Sequence, residues 1–433
     1  MSTVKLTEGI YWVGAVDWNI RHFHGPAYST HHGVTYNSYL IVDEKTALVD
    51  TVFTPFTDEL ISNISDVIDP ARIDYVIANH VEVDHSGALP RLMSIIPNAQ
   101  IFCSLKGVDE FKKHYAPASG WDFHPVKTGQ ELKLGRRTLS FIEAPMLHWP
   151  DSMFTYVKED GILMPNDAFG QHIATTGRFD DEVDEHELMR EAAKYYANIL
   201  MPFSVLVLRK LKELQDMKIP VNMIAPSHGI IWRKDPGRII NAYAKWAEGK
   251  PVGSAAPEML VVYETMWGGT EKMAKAILQG AIDEGVDARL YRLFGADESD
   301  IITELLTARA LVVGCSTINR GVLPTVSSFL DEVRGLKPVK KIGMAFGSYG
   351  WSGGAVEVIE ERLRAAGIEL VEPGLGVKWV PSPEELESCR ELGRKVARQA
   401  RAVRMNAAVG MATGQASQRN NGITGQQNNG ITE

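Results

Sequence analysis

Asn79-His80-Val81-Glu82-Val83-Asp84-His85-Ser86-Gly87-Ala88 packs two imidazoles and two carboxylates into one short run. Ahead of it, Ile73-Asp74-Tyr75-Val76-Ile77-Ala78 is short, apolar and rich in β-branched and aromatic residues, which predicts a buried strand. The imidazoles and carboxylates therefore begin where a strand ends, on a tight loop that Gly87 closes. A solvated polar loop would explain the charge, but not two histidines and two carboxylates within six positions. The pattern points to a metal.

Outward from this stretch, short strands dominate on both sides. Ile10–Val13, Tyr39–Val42 and Ala47–Asp50 precede it, with a helical spacing over Pro55 to Val67. Leu89 to Ile96 reads as the helix that leaves it, and Leu139–Ile142 and Gly161–Met164 read as further strands. One long helix is expected from Glu185 to Met217, before Pro220, followed by a strand Val221–Ala225. Hairpins with scattered helices predict sheets packed face to face with helices outside. Three more metal-capable residues each follow an apolar strand: His148, Asp167 and His228. Singly each reads as a turn residue; together they suit one rim of a sandwich.

Gly249 to Pro257 is small, rich in proline and glycine, and reads as a linker. The expected division is a first domain over 1–250, a linker over 251–257 and a second domain over 258–403. In the second, strand and helix alternate as five βα units, the fifth strand being Glu369 to Val377, which is the rhythm of a doubly wound parallel sheet. Its first strand leads into Glu264-Thr265-Met266-Trp267-Gly268-Gly269-Thr270, where hydroxyls, glycines and a helix N-terminus suit a phosphate. Ser316-Thr317-Ile318-Asn319 follows the third strand, and Ser348-Tyr349-Gly350-Trp351 with Gly353 follows the fourth. No spaced glycine fingerprint of the dinucleotide kind is present, so a mononucleotide fits better. From 404 to 433, glutamine, asparagine and glycine with a repeated Asn-Asn-Gly-Ile-Thr predict a disordered tail.

The 433 residues, 45% hydrophobic, allow full cores in two or three domains. A net charge of −9 argues against nucleic acid and anionic lipid as partners. Cys103, Cys315 and Cys389 are too few and too scattered for a disulfide framework, and read as free buried thiols. No signal-like or membrane-spanning segment is evident, which predicts a cytoplasmic protein.

Residues 1 to 250 resemble the metallo-β-lactamase superfamily, and residues 1 to about 403 resemble the flavodiiron proteins. The hydrolases of the superfamily carry His where this chain has Glu82, whereas flavodiiron proteins carry His, Glu, Asp and His in the order of His80, Glu82, Asp84 and His85. The resemblance implies an αββα sandwich followed by a flavodoxin-like domain holding FMN. It also implies two irons, one bound by His80, Glu82 and His148, the other by Asp84 and His228, with Asp167 bridging. His85 is left open, as a ligand of the second iron or a place taken by solvent. His24 and Tyr195 are implied near the open face of the centre, able to donate a hydrogen bond or a proton.

The implied activity is reduction of O2 to water, of NO to N2O, or both, with a head-to-tail homodimer or a dimer of dimers bringing flavin and irons together. No Cys-x-x-Cys pairs follow the second domain, so electrons are expected from a separate donor, rubredoxin, with docking at Arg320, Lys340 and Lys341. The alternatives are a zinc hydrolase fused to a flavodoxin-like module and an oxidase of reduced coenzyme F420.

Overall fold

The computed structural model describes residues 3–252 and 258–420, with only the backbone considered at Pro26 and over 403–420. Residues 253–257 of the predicted linker and 421–433 of the predicted tail lie outside the described residues. The chain forms two compact units. The first is built on residues up to Val252, and Asp297–Leu306 and Leu336–Val339 group with it, although the βα rhythm counts both segments with the second half.

Two sheets face each other in the first unit. One has seven strands in the order Val4–Thr7, Ile10–Trp12, Tyr39–Ile41, Ala47–Val49, Tyr75–Ile77, Gln100–Ser104, Asp122–Val126. The other has five, in the order Glu131–Lys133, Thr138–Glu143, Met153–Val157, Ile162–Met164, Met223–Ile224. Their inner faces meet in one core, where Ile10, Trp12, Val49 and Ile77 pack with Phe141, Met153, Val157 and Met164. Burying each such side chain contributes ~1.5–3 kcal/mol, so the sandwich is held by apolar burial and its rim is free to carry polar groups.

Two local expectations are corrected. The stretch from Glu185 to Met217 is an α-helix over Glu185–Tyr195, a π-helical turn over Tyr196–Leu200, a 3-10 turn over Met201–Phe203 and a second α-helix over Ser204–Met217. Pro202 has no N–H to continue the ladder, and periodicity alone does not show the break. Asp84 and His85, expected on a tight loop, lie on a short helical turn, Val83–Ser86.

The second unit has one parallel sheet. Ala288–Arg292, Met259–Glu264, Ala310–Ser316 and Ile342–Tyr349 lie side by side, and Glu369–Leu370 and Leu375–Lys378 both pair with the last of these. The first strand in sequence thus lies between the second and third, which creates a switch point at its carboxyl end. The predicted strand Glu369 to Val377 is split because Pro373 cannot donate to the ladder and the Gly374 N–H turns to Glu360 Oε1, at 2.6 Å. The last helix, Pro383–Asn420, runs past residue 403. Alanines at 407, 408, 412 and 416 favour it, a preference outweighed in the sequence by the glutamine and glycine around them.

Candidate metal centre and cofactor cavity

Seven side chains from five segments meet at one rim of the sandwich. His80 and Glu82 follow the strand Tyr75–Ile77, Asp84 and His85 sit on the turn beyond, His148 precedes Met153–Val157, Asp167 follows Ile162–Met164, and His228 follows Met223–Ile224. Glu82 Oε2 is 3.3 Å from His80 Nε2 and 3.2 Å from His148 Nε2. Asp84 Oδ2 is 3.0 Å from His228 Nε2. Asp167 stands between the two groups. Its Oδ2 is 3.4 Å from His148 Nε2, while its Oδ1 is 3.1 Å from His85 Nε2 and 3.5 Å from His228 Nε2.

The ligand atoms of His80, Glu82, His148 and Asp167 lie within 4.8 Å of one another, as do those of Asp84, His85 and His228. The structure thus brings all seven sequence-predicted residues together, His85 among them. His80, His85, Asp167 and His228 are each at most 2% exposed. Both oxygens of Asp84, both ring nitrogens of His85 and Asp167 Oδ2 lack a hydrogen-bond partner of good geometry. Buried carboxylates and imidazoles left in this state are costly, and cations in the two groups would satisfy them. Three carboxylates with four imidazoles fit a pair of first-row transition ions.

The electrostatics reflect this crowding. Burial works to raise the pKa of Glu82, but hydrogen bonds from His148, His24 and His80 overcome it and hold the carboxyl well below its usual range. Burial works to lower His85 and His148, and neighbouring carboxylates, Asp84 and Asp167 at His85, Asp167 and Glu82 at His148, instead push both up to about 9.

The next layer fixes the ring orientations. His80 Nδ1 donates to Asp151, at 2.9 Å from Oδ2, and the Val81 N–H donates to the same oxygen at 2.7 Å. His228 Nδ1 donates to the Thr35 carbonyl at 2.7 Å. Each imidazole therefore presents Nε2 to the centre, as metal-binding histidines do. Asp50 accepts from the Asn79 N–H at 2.8 Å and from the Asn166 side chain at 3.3 Å, tying together the loops that carry His80 and Asp167.

His24 Nε2 lies 2.9 Å from Glu82 Oε1, on the solvent side of the centre. Tyr195 is 1% exposed; burial and then the charge of Asp167 raise its hydroxyl well above the ordinary value. His172 is fully buried, with neither nitrogen hydrogen-bonded, and its ring lies 5.0 Å from that of His228 and 4.9 Å from that of Tyr195. Asp151, Asp50 and His172 carry no sequence signal beyond their residue type, so motif reasoning misses them.

In the second unit, a cavity of about 120 Å3 opens at the carboxyl ends of the strands. Met266, Trp267, Gly269, Ser316, Thr317, Ser348, Tyr349 and Gly350 line it, all sequence-predicted. Thr270 Oγ1 is 3.0 Å from Ser316 Oγ and 2.9 Å from Ser348 Oγ, so one hydroxyl cluster joins the three loops. The helix Gly269–Asp283 has Gly268 before it at φ 81° and no side chain capping it, which leaves its N-terminus to an anion. A Cβ on Gly269 would lie 2.8 Å from the Trp379 carbonyl, so only glycine lets the loops close this tightly. The cavity fits a phosphate-bearing planar cofactor.

Other predicted residues stand apart from that lining. Glu264 is occupied by Arg292 Nε at 2.9 Å and the Phe294 N–H at 2.7 Å. Thr265 accepts the Gly268 N–H at 3.0 Å and shapes the turn, and Ile318 closes a bridge with Gly321. Asn319, at φ 49°, Trp351 and Gly353 are not among the wall residues. Trp379 and Val380 also line it, directly beyond the strand Leu375–Lys378, and no motif in the sequence marks them. The rule that ligands sit beyond strand carboxyl ends reaches them once that strand is placed.

Fold and site together define a class: a β-lactamase-type sandwich with a carboxylate-rich two-cation pocket, joined to a flavodoxin-type sheet. The family model described as ODP family beta lactamase matches residues 34–229, and the flavodoxin model matches 261–393. A nitric oxide reductase of Moorella thermoacetica is 57% identical over 395 residues, 91% of this chain and 98% of that protein. An anaerobic nitric oxide reductase flavorubredoxin of Aeromonas hydrophila is 46% identical over 92% of this chain and 80% of its own length. Among solved structures, rubredoxin oxygen:oxidoreductase from Desulfovibrio gigas superposes with a TM-score of 0.89 at 38% identity, covering 93% of this chain and 99% of that one. The flavodiiron protein of Giardia intestinalis superposes at 0.87 with 36% identity, covering 93% and 97%. The chain belongs to the flavodiiron proteins.

Proposed function

We propose that this protein is an oxidoreductase that reduces NO to N2O and O2 to water at a non-haem diiron centre, with electrons reaching it through FMN from a separate donor. The observation that carries this reading is Asp167, whose two oxygens face two separate clusters of imidazole and carboxylate. His80, Glu82 and His148 would hold one iron, Asp84 and His228 the other with His85 beside it, and Asp167 would bridge. When bound, the irons supply redox-active coordination positions and the flavin supplies stored electron pairs.

The remaining tasks fall to the chain. Asp151 and the Thr35 carbonyl keep His80 and His228 in the ligating tautomer. His24, hydrogen-bonded to Glu82 at the open side, is placed to hand a proton inward, and Tyr195 is kept protonated beside Asp167. NO coupling takes two protons and two electrons per N2O, and O2 reduction takes four of each, so such donors are required. The 57% likeness to a nitric oxide reductase favours NO as a substrate, and the fold's likeness to an oxygen oxidoreductase keeps O2 as the second.

A zinc hydrolase is not favoured, since Glu82 stands where those enzymes carry His, and the likeness to a rubredoxin oxygen:oxidoreductase favours a protein donor over reduced coenzyme F420. Trp267 at the flavin cavity is 94% exposed, and Trp351, on the loop that also carries Tyr349 and Gly350, is 87% exposed. Such apolar surface suits cover by a second copy in a head-to-tail dimer, or docking of rubredoxin. No helix among the described residues is long and apolar enough to cross a membrane, and we place the protein in the cytoplasm. The test is metal and flavin analysis of the purified chain, followed by steady-state rates with NO and with O2 under reduced rubredoxin. About two irons and one FMN per chain, with turnover of either gas, is expected; zinc with esterase activity and no oxidant reduction would overturn the reading.

A further inference from the structure

We propose that a second, apolar cavity in the first unit, directly behind the ligand-bearing loops, is a binding site for a small apolar gas molecule, the NO or O2 of the adjacent centre; this rests on the function proposed above. Leu147 lines the cavity and precedes His148, and Ala168 and Phe169 line it and follow Asp167. Its wall therefore shares backbone with His148 and with Asp167, the carboxylate that stands between the two groups. Leu200 and Val207 close it from the helical side, where the π-helical turn Tyr196–Leu200 separates Tyr195 at the metal centre from Leu200 at the cavity.

The cavity is built to stay dry. Two wall residues carry polar groups, and both groups are engaged: the Tyr243 hydroxyl accepts the Phe169 N–H at 2.7 Å, and Lys210 Nζ donates to the Glu143 carbonyl at 2.5 Å and to Glu213 at 2.7 Å. A water inside would find too few partners, whereas apolar cavities of this kind remain empty or take xenon. About 10 Å3 is open to the centre of a water-sized molecule, room for one small guest and no more. The wall is also graded. Leu147, Phe169, Leu200 and Val207 are at most 4% exposed, while Lys210, Leu211 and Leu214 are partly exposed, so the cavity leads inward from the surface of the helix Ser204–Met217. A diatomic gas partitions readily into such a space, and water and anions do not.

The test uses crystals of the full, metal-loaded protein under xenon pressure, together with rapid mixing of the reduced protein with NO. Xenon is expected in this cavity of the wild type and absent after Val207→Phe. Because Val207 is buried and its replacement overpacks, Leu211→Phe on the half-exposed wall is the second variant. In either filled variant, the rate constant for NO capture at limiting gas falls roughly tenfold, with saturated turnover and metal content unchanged. Xenon bound elsewhere with this cavity empty, or wild-type capture by a filled variant, overturns the proposal. Xenon in the cavity of a protein that reduces neither gas would count against the function; wild-type turnover without xenon here would count against the site alone.

Discussion

Glu82 concentrates the chemistry of the centre in one side chain, because one of its oxygens faces His80 and His148 and the other faces His24. Replacing it with alanine removes a proposed ligand and takes the carboxylate away from three imidazoles, His80, His148 and His24. Glu82→Ala is therefore expected to lose iron and oxidant reduction while keeping its flavin, read by metal analysis and the flavin absorption spectrum. Asp151 acts one bond further out. Asp151→Asn keeps the shape but weakens the hold on His80 Nδ1, and metal affinity is expected to fall roughly 10- to 100-fold in competition with a chelator. Retention of wild-type affinity would show that the Val81 N–H and packing suffice to orient the ring.

Among the elements, the helix Gly269–Asp283 and the last helix cross with almost no space between their backbones. A Cβ on Gly280 would lie 2.0 Å from the Arg390 carbonyl, and one on Gly393 would lie 2.1 Å from that of Ile277. Neither contact can relax by rotating a side chain, so the helices must move apart. Gly393→Ala is expected to lower the stability of the second unit by about 1–3 kcal/mol in urea unfolding, with flavin retention reduced and iron content unchanged. The helical region after Glu185 makes a complementary point. Its π-helical turn interrupts the register between Tyr195 and Val207, which allows one face to meet the metal centre and the next to enclose the apolar cavity.

For the whole molecule, a metal bound at the centre would compete with protons. In the metal-free protein, His85 and His148 stand near pKa 9, against 6.5 for free histidine. Their contribution to stability is fully present below pH 6.5 and is lost as pH rises through about 9. A metal held by His148, with His85 beside it, would need the first imidazole neutral and would disfavour charge on the second, so the stabilisation that added iron confers is expected to widen across the same window. Buried Lys341, pushed down to about 7 by burial, gains stability with rising pH and opposes the histidine trend. Comparing thermal unfolding of metal-loaded and metal-free protein at each pH cancels its share; a gap that does not change between these limits would refute the expected competition.

The donor interface is also decided at this scale. Of the three cations expected to dock rubredoxin, Lys341 is 3% exposed and its Nζ donates to the Ala308 carbonyl at 2.6 Å. Lys340 precedes the strand Ile342–Tyr349, at the opposite end of the sheet from the flavin cavity. Arg320 alone is both exposed and beyond a strand's carboxyl end. Rising salt should therefore weaken turnover with rubredoxin in the wild type and have less effect in Arg320→Glu, measured by steady-state rates.

Residue patterns alone make legible the type of each unit and the cluster from His80 to His85, while His148, Asp167 and His228 gain weight only from their joint placement after apolar strands and from the resemblance to the flavodiiron proteins. A cluster such as His80 to His85 after a β-branched run, and an alternation of strand and helix, are local patterns whose physical meaning does not depend on the rest of the chain. That Asp151 holds His80, that Trp379 joins the cavity beyond the strand ends, that Lys341 is buried, and where the helix after Glu185 breaks are all set in three dimensions. Each of these depends on which distant segment lies alongside. The free energy of burial and hydrogen bonding is set by that neighbour, and one-dimensional periodicity does not contain it.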